Sequence, residues 1–480
     1  MASAKLPNTI AIGTRGGAYL NHPSSQLKAG VAEVDITPEL GIQIAGDIGR
    51  PRPVEEIRDP LYAKALVLEA GGKRVCIISS DVIMYSTHYA DLIRNRIQRE
   101  FGFEPGAVLL HATQNHSAPS VGHILCRDEC KLIPPEYPWL RSGDERYNEV
   151  AIEGVVASVA AASKDLSPAK SGTASGVDPR VAFNRRYVMR DGTVRSNPWG
   201  PSRLNILHAE GPADPEVGVV ALVAPGNKPR ALLLHHTCHP THGYPNRFIS
   251  ADWPGAWSNA MKAECGERCV PLVLNGCCGN ILHTNWADAK FVDDQKKMGE
   301  LLAETTVETM KNVQFQDEVA LDYISRIIKI PYRAPTPEEL TRSRKMLADY
   351  PQPKRIPSAP ECVEWDWLFA VSILDLEQKR QENSEFNYEI QAIRMGDTAI
   401  VALVGEPFVE GQLEIKRSSP VRHTYIAHMS NGYAGYVPTA HAFRGGGYET
   451  WTSNGSQLVP EALNVIASET VKLLNELMKK

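Results

Sequence analysis

The sequence has no run of about eighteen apolar residues, so nothing in it reads as a membrane span. A basic footprint is missing too: 51 Lys and Arg against 56 Asp and Glu leave a net charge of -5, which discounts DNA or RNA as a partner. The opening stretch, Met1-Ala-Ser-Ala-Lys-Leu-Pro-Asn-Thr-Ile-Ala-Ile-Gly13, has no charged start followed by an apolar core and a cleavage site. It does not read as a signal peptide, and a cytoplasmic product is the simplest inference. Low-complexity tracts and residue repeats are also lacking. Cysteine is sparse, nine in 480 residues, and the odd count suits reduced thiols packed as small hydrophobes. Cys126/Cys130 and Cys265/Cys269 are spaced like a zinc knuckle, but neither pair has His or Cys partners at finger spacing, so no structural zinc is expected there.

What is present is an ordinary globular composition, 43% hydrophobic and 22% charged, in a chain long enough to bury a large core without staples. Positions 27–38 alternate apolar and polar residues and stop at Pro38, as a strand does. Positions 59–69 and 73–81 flank a Gly-Gly turn and predict a hairpin whose nearly all-apolar second arm is central. A helix over 88–101 and a strand over 108–111 complete a unit with its functional loops at the strand's C-terminal end. Further helices are expected over 144–164, 254–265, 290–312, 336–350 and 460–479, the fourth capped by Thr336. Strands are expected over 217–223, 230–234, 270–275, 324–330, 387–394, 398–404 and 425–429, with 351–361 a proline-rich loop. The reading is an α/β fold, mixed β-sheets flanked by helices, with an arm over 1–26 and one domain over 27–480. The pattern fixes no oligomeric state.

The densest chemical signal is Leu232-Leu-Leu-His-His-Thr-Cys-His-Pro-Thr-His242, which holds His235, His236, His239 and His242 among the chain's 14 histidines. A cluster of imidazoles on a strand end and the loop after it suits a metal or a general base.

An ordered series of short motifs runs from about Gly30 to the end. It comprises Asp35-Ile-Thr-Pro38, Asp81 after its strand, Thr113-Gln-Asn-His-Ser-Ala-Pro119, Asn184-Arg185, His239-Pro-Thr241 and Ser250-Ala-Asp-Trp-Pro-Gly255. Asn275-Gly-Cys-Cys-Gly-Asn280, Gly405-Glu-Pro-Phe408 and Asn431-Gly-Tyr-Ala-Gly-Tyr-Val-Pro-Thr439 follow. In order and spacing the series resembles the catalytic domain of the neutral, non-lysosomal ceramidases, without the C-terminal immunoglobulin-like domain that many of them carry. Family members hold zinc with two histidines, a glutamate and a tyrosine, and the metal activates water to cleave an amide. The resemblance implies His239, Glu406 and Tyr436 as ligands of a divalent ion, with Gln114 at the position of the first histidine. His116 matches the family's other, non-ligating histidine; being two residues from Gln114, it would face the same way on extended backbone.

Two departures redirect the implied function. An amide oxygen at Gln114 suits zinc less well than imidazole and favours a harder ion. Leu282, in Asn280-Ile-Leu-His283, stands where ceramidases present a serine, and a leucine neither donates a proton nor attacks a carbonyl. The expectation is therefore a metal-dependent hydrolase of an amide or related bond in a small soluble substrate other than ceramide. Its catalytic groups would be His116, His239, Glu406 and Tyr436, with Arg185, Asn184, Asp81, Asp252, Asn280, His283 and Tyr433 binding the substrate. The alternative is a metal-free carbohydrate-active enzyme, a glycosidase or lyase, in which Trp253, Trp257, Trp286 or Trp451 would stack on sugar rings. A third reading is a protein that only binds its ligand.

Overall fold

One succession of elements occurs three times in a computed structural model that describes residues 24–479. The first unit has strands Lys28–Asp35, Tyr62–Ala70 and Lys73–Ser80, helix Thr87–Phe101, strand Val108–Ala112 and helix Glu145–Lys164. The second has strands Lys170–Val177, Glu216–Ala224 and Lys228–His236, helix Asp252–Cys265, strand Val270–Asn275 and helix Gln295–Met310. The third has strands Leu321–Pro331, Glu385–Met395 and Thr398–Leu403, helix Val409–Ser418, strand His423–Ala427 and helix Ala462–Leu477. In the main sheet of each unit the first three strands run antiparallel, and the fourth pairs in parallel with the third. The repetition is one of topology, which is why a search for repeated residues does not find it.

The period-two pattern of the strands explains how the sheets pack. Leu66, Leu68 and Ile77 of the first sheet, Val220, Leu222 and Leu233 of the second, and Ile393, Ile400 and Ala402 of the third share one apolar core. Their sequence neighbours face the other way. Ala65, Val67 and Ile78 meet Ile93, Ala151 and Val155 of the first unit's helices. Val219, Leu232 and Val273 meet Trp257, Met261 and Leu302. Ile390, Val401 and Ile426 meet Ile415, Ile466 and Leu473.

The three fourth strands converge end to end. Asn275 N–H donates to His111 Nε2 at 3.0 Å, which leaves the proton on His111 Nδ1, 2.6 Å from the His428 carbonyl. His428 N–H donates to the Asn275 carbonyl at 3.0 Å, and Ala112 N–H to the Met429 carbonyl at 3.2 Å. The Asn275 amide donates onward to the carbonyls of Thr113 at 3.0 Å and Cys238 at 2.9 Å. Because the junction is buried, these groups have no water to turn to, and the loops that leave it are fixed relative to one another.

Most expected elements occur where the pattern put them, and the α/β class holds. The helix expected from 290 begins at Gln295, because Asp294 accepts from Lys297 N–H and caps it. The 351–361 segment carries a small hairpin, Arg355–Ile356 with Ala359–Val363. Helix Trp365–Glu382 was not anticipated: Trp367, Leu368, Ala370, Val371, Ile373 and Leu376 are all buried, and apolar residues on successive positions leave no stripe to read. Of the expected arm, residues 1–23 lie outside the described residues, while Ser25–Gln26 pairs with Glu318–Val319. No helix among the described residues is long and apolar enough to cross a membrane.

His111→Ala is expected to lower unfolding free energy by roughly 2–4 kcal/mol in urea titrations, since a buried N–H and a buried carbonyl both lose their partner. Burial holds the His111 imidazole down to about 4, against an ordinary value near 6.5. The unfolded chain therefore binds more protons between about pH 6.5 and 4, and stability should fall as pH drops through that window. His111→Ala should flatten part of that fall.

Candidate active site

The loops leaving the junction enclose a cavity of about 140 Å³. The first unit contributes Gln114 and His116, and the third Glu406, Tyr433, Tyr436 and Tyr448. His239, from the second unit, is 1% exposed and lies directly behind the wall. Local backbone makes this possible. Gln114 sits at φ +67, and Gly405 and Gly435 at +73 and +70, so the chain turns sharply beside each functional side chain. A Cβ on Gly405 would stand 2.6 Å from the Gly435 carbonyl, so the segments bearing Glu406 and Tyr436 meet only through glycine. On the opposite wall, a Cβ on Gly46 would meet His116 Nδ1 at 2.6 Å.

His239 and Glu406 form the candidate centre. Nδ1–H of His239 donates to the Cys278 carbonyl at 2.7 Å, so Nε2 carries the lone pair. That Nε2 lies 3.4 Å from Glu406 Oε2, and neither atom has a hydrogen-bond partner although both are buried. The other carboxylate oxygen accepts from Tyr433 O–H at 3.2 Å. His116 places its ring 5.5 Å from that of His239, with both nitrogens buried and unpartnered. Gln114 does not face this centre with a free oxygen: its Oε1 accepts the Cys278 thiol at 3.1 Å. Arg185 is buried behind Tyr436, its guanidinium carbon 5.4 Å from that ring and 5.3 Å from the Tyr448 ring. It donates to Glu449 at 3.1 Å and to the Gly279 carbonyl at 2.6 Å.

Burial sets the protonation states. It holds His116 well below the usual histidine range, with His239 and Arg52 adding to the effect. Burial and then the Arg185 charge also lower His239. Burial and the neighbouring Glu406 push the phenols of Tyr433 and Tyr436 well above the usual value. At neutral pH the centre is thus two neutral imidazoles, a carboxyl group and two intact phenols.

The remaining expected residues are placed elsewhere. Asn184 and Asn280 serve the backbone: Asn184 donates to the Pro212 carbonyl at 2.9 Å, and Asn280 accepts from Val409 N–H at 2.9 Å and donates to Glu410 at 2.9 Å. Asp81 accepts from Tyr62 N–H at 3.0 Å at the end of its strand. His235 stacks on Tyr425 with centroids 5.1 Å apart, and His236 packs edge-on against Trp253, so two of the clustered histidines are core residues. Asp252, His242 and His283 gather with Asp293 in a second cluster, none of whose residues lines the cavity. Burial opposes a charge on His242, but Asp252 and Asp293 raise it to about 9. Trp253 and Trp257 are fully buried and cannot meet a sugar.

Residues that sequence reasoning missed line the way in. Trp365 and Phe369, on the unanticipated helix, and Tyr448 wall both the cavity and an adjoining groove of about 870 Å³. Trp365 and Trp451 remain 45% and 49% exposed there, and Arg333, Arg342, Glu339 and Asp366 supply charge. The Gly445-Gly-Gly447 turn just before Tyr448 was the one available signal.

Solved structures that share this fold include a neutral ceramidase from Pseudomonas aeruginosa and a ceramidase complexed with C2. Each is 17% identical to this chain with a TM-score of 0.70; 95% of this chain is covered, against 75% and 76% of theirs. No protein-family model and no curated protein matches the sequence. The likeness is one of fold, that of the neutral ceramidase catalytic region.

Tyr433→Phe removes the phenol that holds Glu406 Oε1 and is expected to weaken whatever the centre binds or turns over by roughly 10–100-fold. Unchanged ligand affinity and turnover in that variant would remove Glu406 from the centre.

Proposed function

We propose that the chain is a metal-dependent hydrolase of an amide or related bond in a small soluble substrate. The observation that carries this is the facing pair His239 Nε2 and Glu406 Oε2, two buried acceptors 3.4 Å apart with no donor between them. Two such atoms are stable side by side only with a proton or a cation between them. Their chemistry fits a divalent ion held by His239, Glu406 and the Tyr436 oxygen, whereas the Gln114 oxygen is engaged by Cys278. Such an ion supplies Lewis-acid polarisation and a water acidified to a pKa of about 7.

The chain's own residues do the rest. His116, neutral and unpartnered, accepts a proton at its free nitrogen. The Tyr433 phenol positions Glu406, and Arg185 stacked on Tyr436 favours negative charge developing at that tyrosine. Ile83, Met84 and Leu125 exclude water from the cavity wall. Ceramide is disfavoured as substrate because Leu282, in the place of the family's serine, is buried and pairs with Phe183.

A specific observation also favours the carbohydrate reading: Trp365 and Trp451, half exposed beside a wide groove, present faces on which a sugar ring can lie. Metal content separates the two. Protein purified without chelator is expected to carry a divalent ion, and His239→Ala to abolish both that ion and turnover in a screen of N-acyl compounds. Gln114→His should tighten zinc, since imidazole is the better ligand and histidine tolerates the positive φ at that position. Full activity after exhaustive chelation, in protein shown to be metal-free, sinks this proposal and promotes acid–base chemistry by Glu406 and the histidines on a glycoside.

A further inference from the structure

A second set of metal-type donors lies outside the cavity lining. His242 Nε2 lies 3.2 Å from Asp293 Oδ1, and His283 Nδ1 lies 2.6 Å from the same oxygen. The donor atoms of these three residues all fall within 4.8 Å of one another, and they form the one His/Cys/Asp/Glu group of that kind among the described residues.

The groups around them make this a built site. Asp252 accepts His242 Nδ1–H at 2.6 Å and the His242 backbone N–H at 2.8 Å, so Nε2 is turned inward toward Asp293, where a cation would take the place of its proton. Without a cation, His283 Nδ1–H donates to Asp293 Oδ1 at 2.6 Å and Nε2 accepts from the Thr241 hydroxyl at 2.9 Å; with a cation on Nδ1 the proton moves to Nε2 and the Thr241 oxygen becomes its acceptor. Thr284 O–H donates to Asp293 Oδ2 at 2.8 Å and stands 3.2 Å from His283 Nδ1, leaving Asp293 Oδ1 inward. Each ligand candidate is thus held from behind by a carboxylate or hydroxyl, as histidines and carboxylates that bind metal are. Asp252 reaches its position at φ +52, a strained conformation for a non-glycine residue, and its carboxylate is wholly buried.

Charge points the same way. The two carboxylates Asp252 and Asp293 face two imidazoles, so with one proton on His242 the set keeps one uncompensated negative charge, and a divalent ion in place of that proton makes it neutral. Asp293 is 33% exposed, which provides a way in. Donors at ~2.1 Å from one zinc stand ~3.4 Å apart. The stacked rings, 3.6 Å between centroids, must splay slightly and Asp293 must withdraw by under about an ångström.

We infer that His242, His283 and Asp293 bind a divalent zinc-type cation, oriented by Asp252, at a site separate from the His239/Glu406 centre. Its position ties the loop bearing His239 to the loop that precedes helix Gln295–Met310, so its role is to hold His239 in place. The inference does not depend on the proposed function, since none of its three ligands lines the cavity.

Zinc alone is the probe. In metal-stripped protein carrying Glu406→Gln, which disables the other centre, one equivalent of zinc should still bind, and Asp293→Asn with His283→Gln added should remove it. Asp252→Asn keeps all three donors and suits the positive φ; it should weaken that equivalent roughly 10–100-fold without unfolding the chain. No zinc uptake in folded Glu406→Gln protein, or uptake of equal affinity with and without the Asp252→Asn change, overturns the inference.

Discussion

Everything near the cavity hangs from the buried meeting of three strand ends at His111, Asn275 and His428. Each unit alone is a half-covered sheet with its parallel edge strand pointing at nothing. Brought together, the three strands satisfy one another's terminal backbone groups, and the imidazole of His111 fills the gap that backbone geometry leaves. Because an unpaired N–H or carbonyl there would cost about 1–3 kcal/mol, the ends have one arrangement rather than several. The loops that leave them inherit that rigidity. A centre assembled from residues as distant in sequence as His116, His239 and Glu406 requires it.

The same burial that fixes the junction determines the chemistry. A dry interior keeps His116 and His239 neutral and Tyr433 and Tyr436 protonated, so these four side chains offer lone pairs and phenolic protons. Against that background the unpartnered Glu406 Oε2 and His239 Nε2 stand out because they face each other at 3.4 Å. Unsatisfied pairs of this kind mark places where the protein has given up stability for something it does. The aromatic groove beyond Tyr448 then decides what can approach.

How much of this was legible in the sequence varied with the signal. Strands such as Lys73–Ser80 and Val270–Asn275 are short, apolar and flanked by turns, so their period and boundaries could be read. Motif order placed His239, Glu406 and Tyr436 together although they are far apart in the chain. What escaped was whatever depends on three dimensions. Helix Trp365–Glu382 buries apolar residues at successive positions and mixes Asp375 and Glu377 among them, which erases the amphipathic stripe. The strand–strand–strand–helix–strand–helix repeat is written in hydrogen bonding and not in residue identity. The four clustered histidines looked equivalent, yet His235 and His236 are core, His239 is at the centre and His242 belongs to a different group of ligands. Nor did the sequence reveal that the Cys278 thiol would claim the Gln114 oxygen.

The most direct test of the central claim, that the three converging strand ends create a cation site between His239 and Glu406, is anomalous X-ray diffraction from crystals of the unstripped protein, measured across transition-metal absorption edges. The account expects a peak within about 2.0–2.2 Å of both His239 Nε2 and Glu406 Oε2. Ordered density in which those two atoms share a proton directly, with no anomalous signal between them, would contradict it.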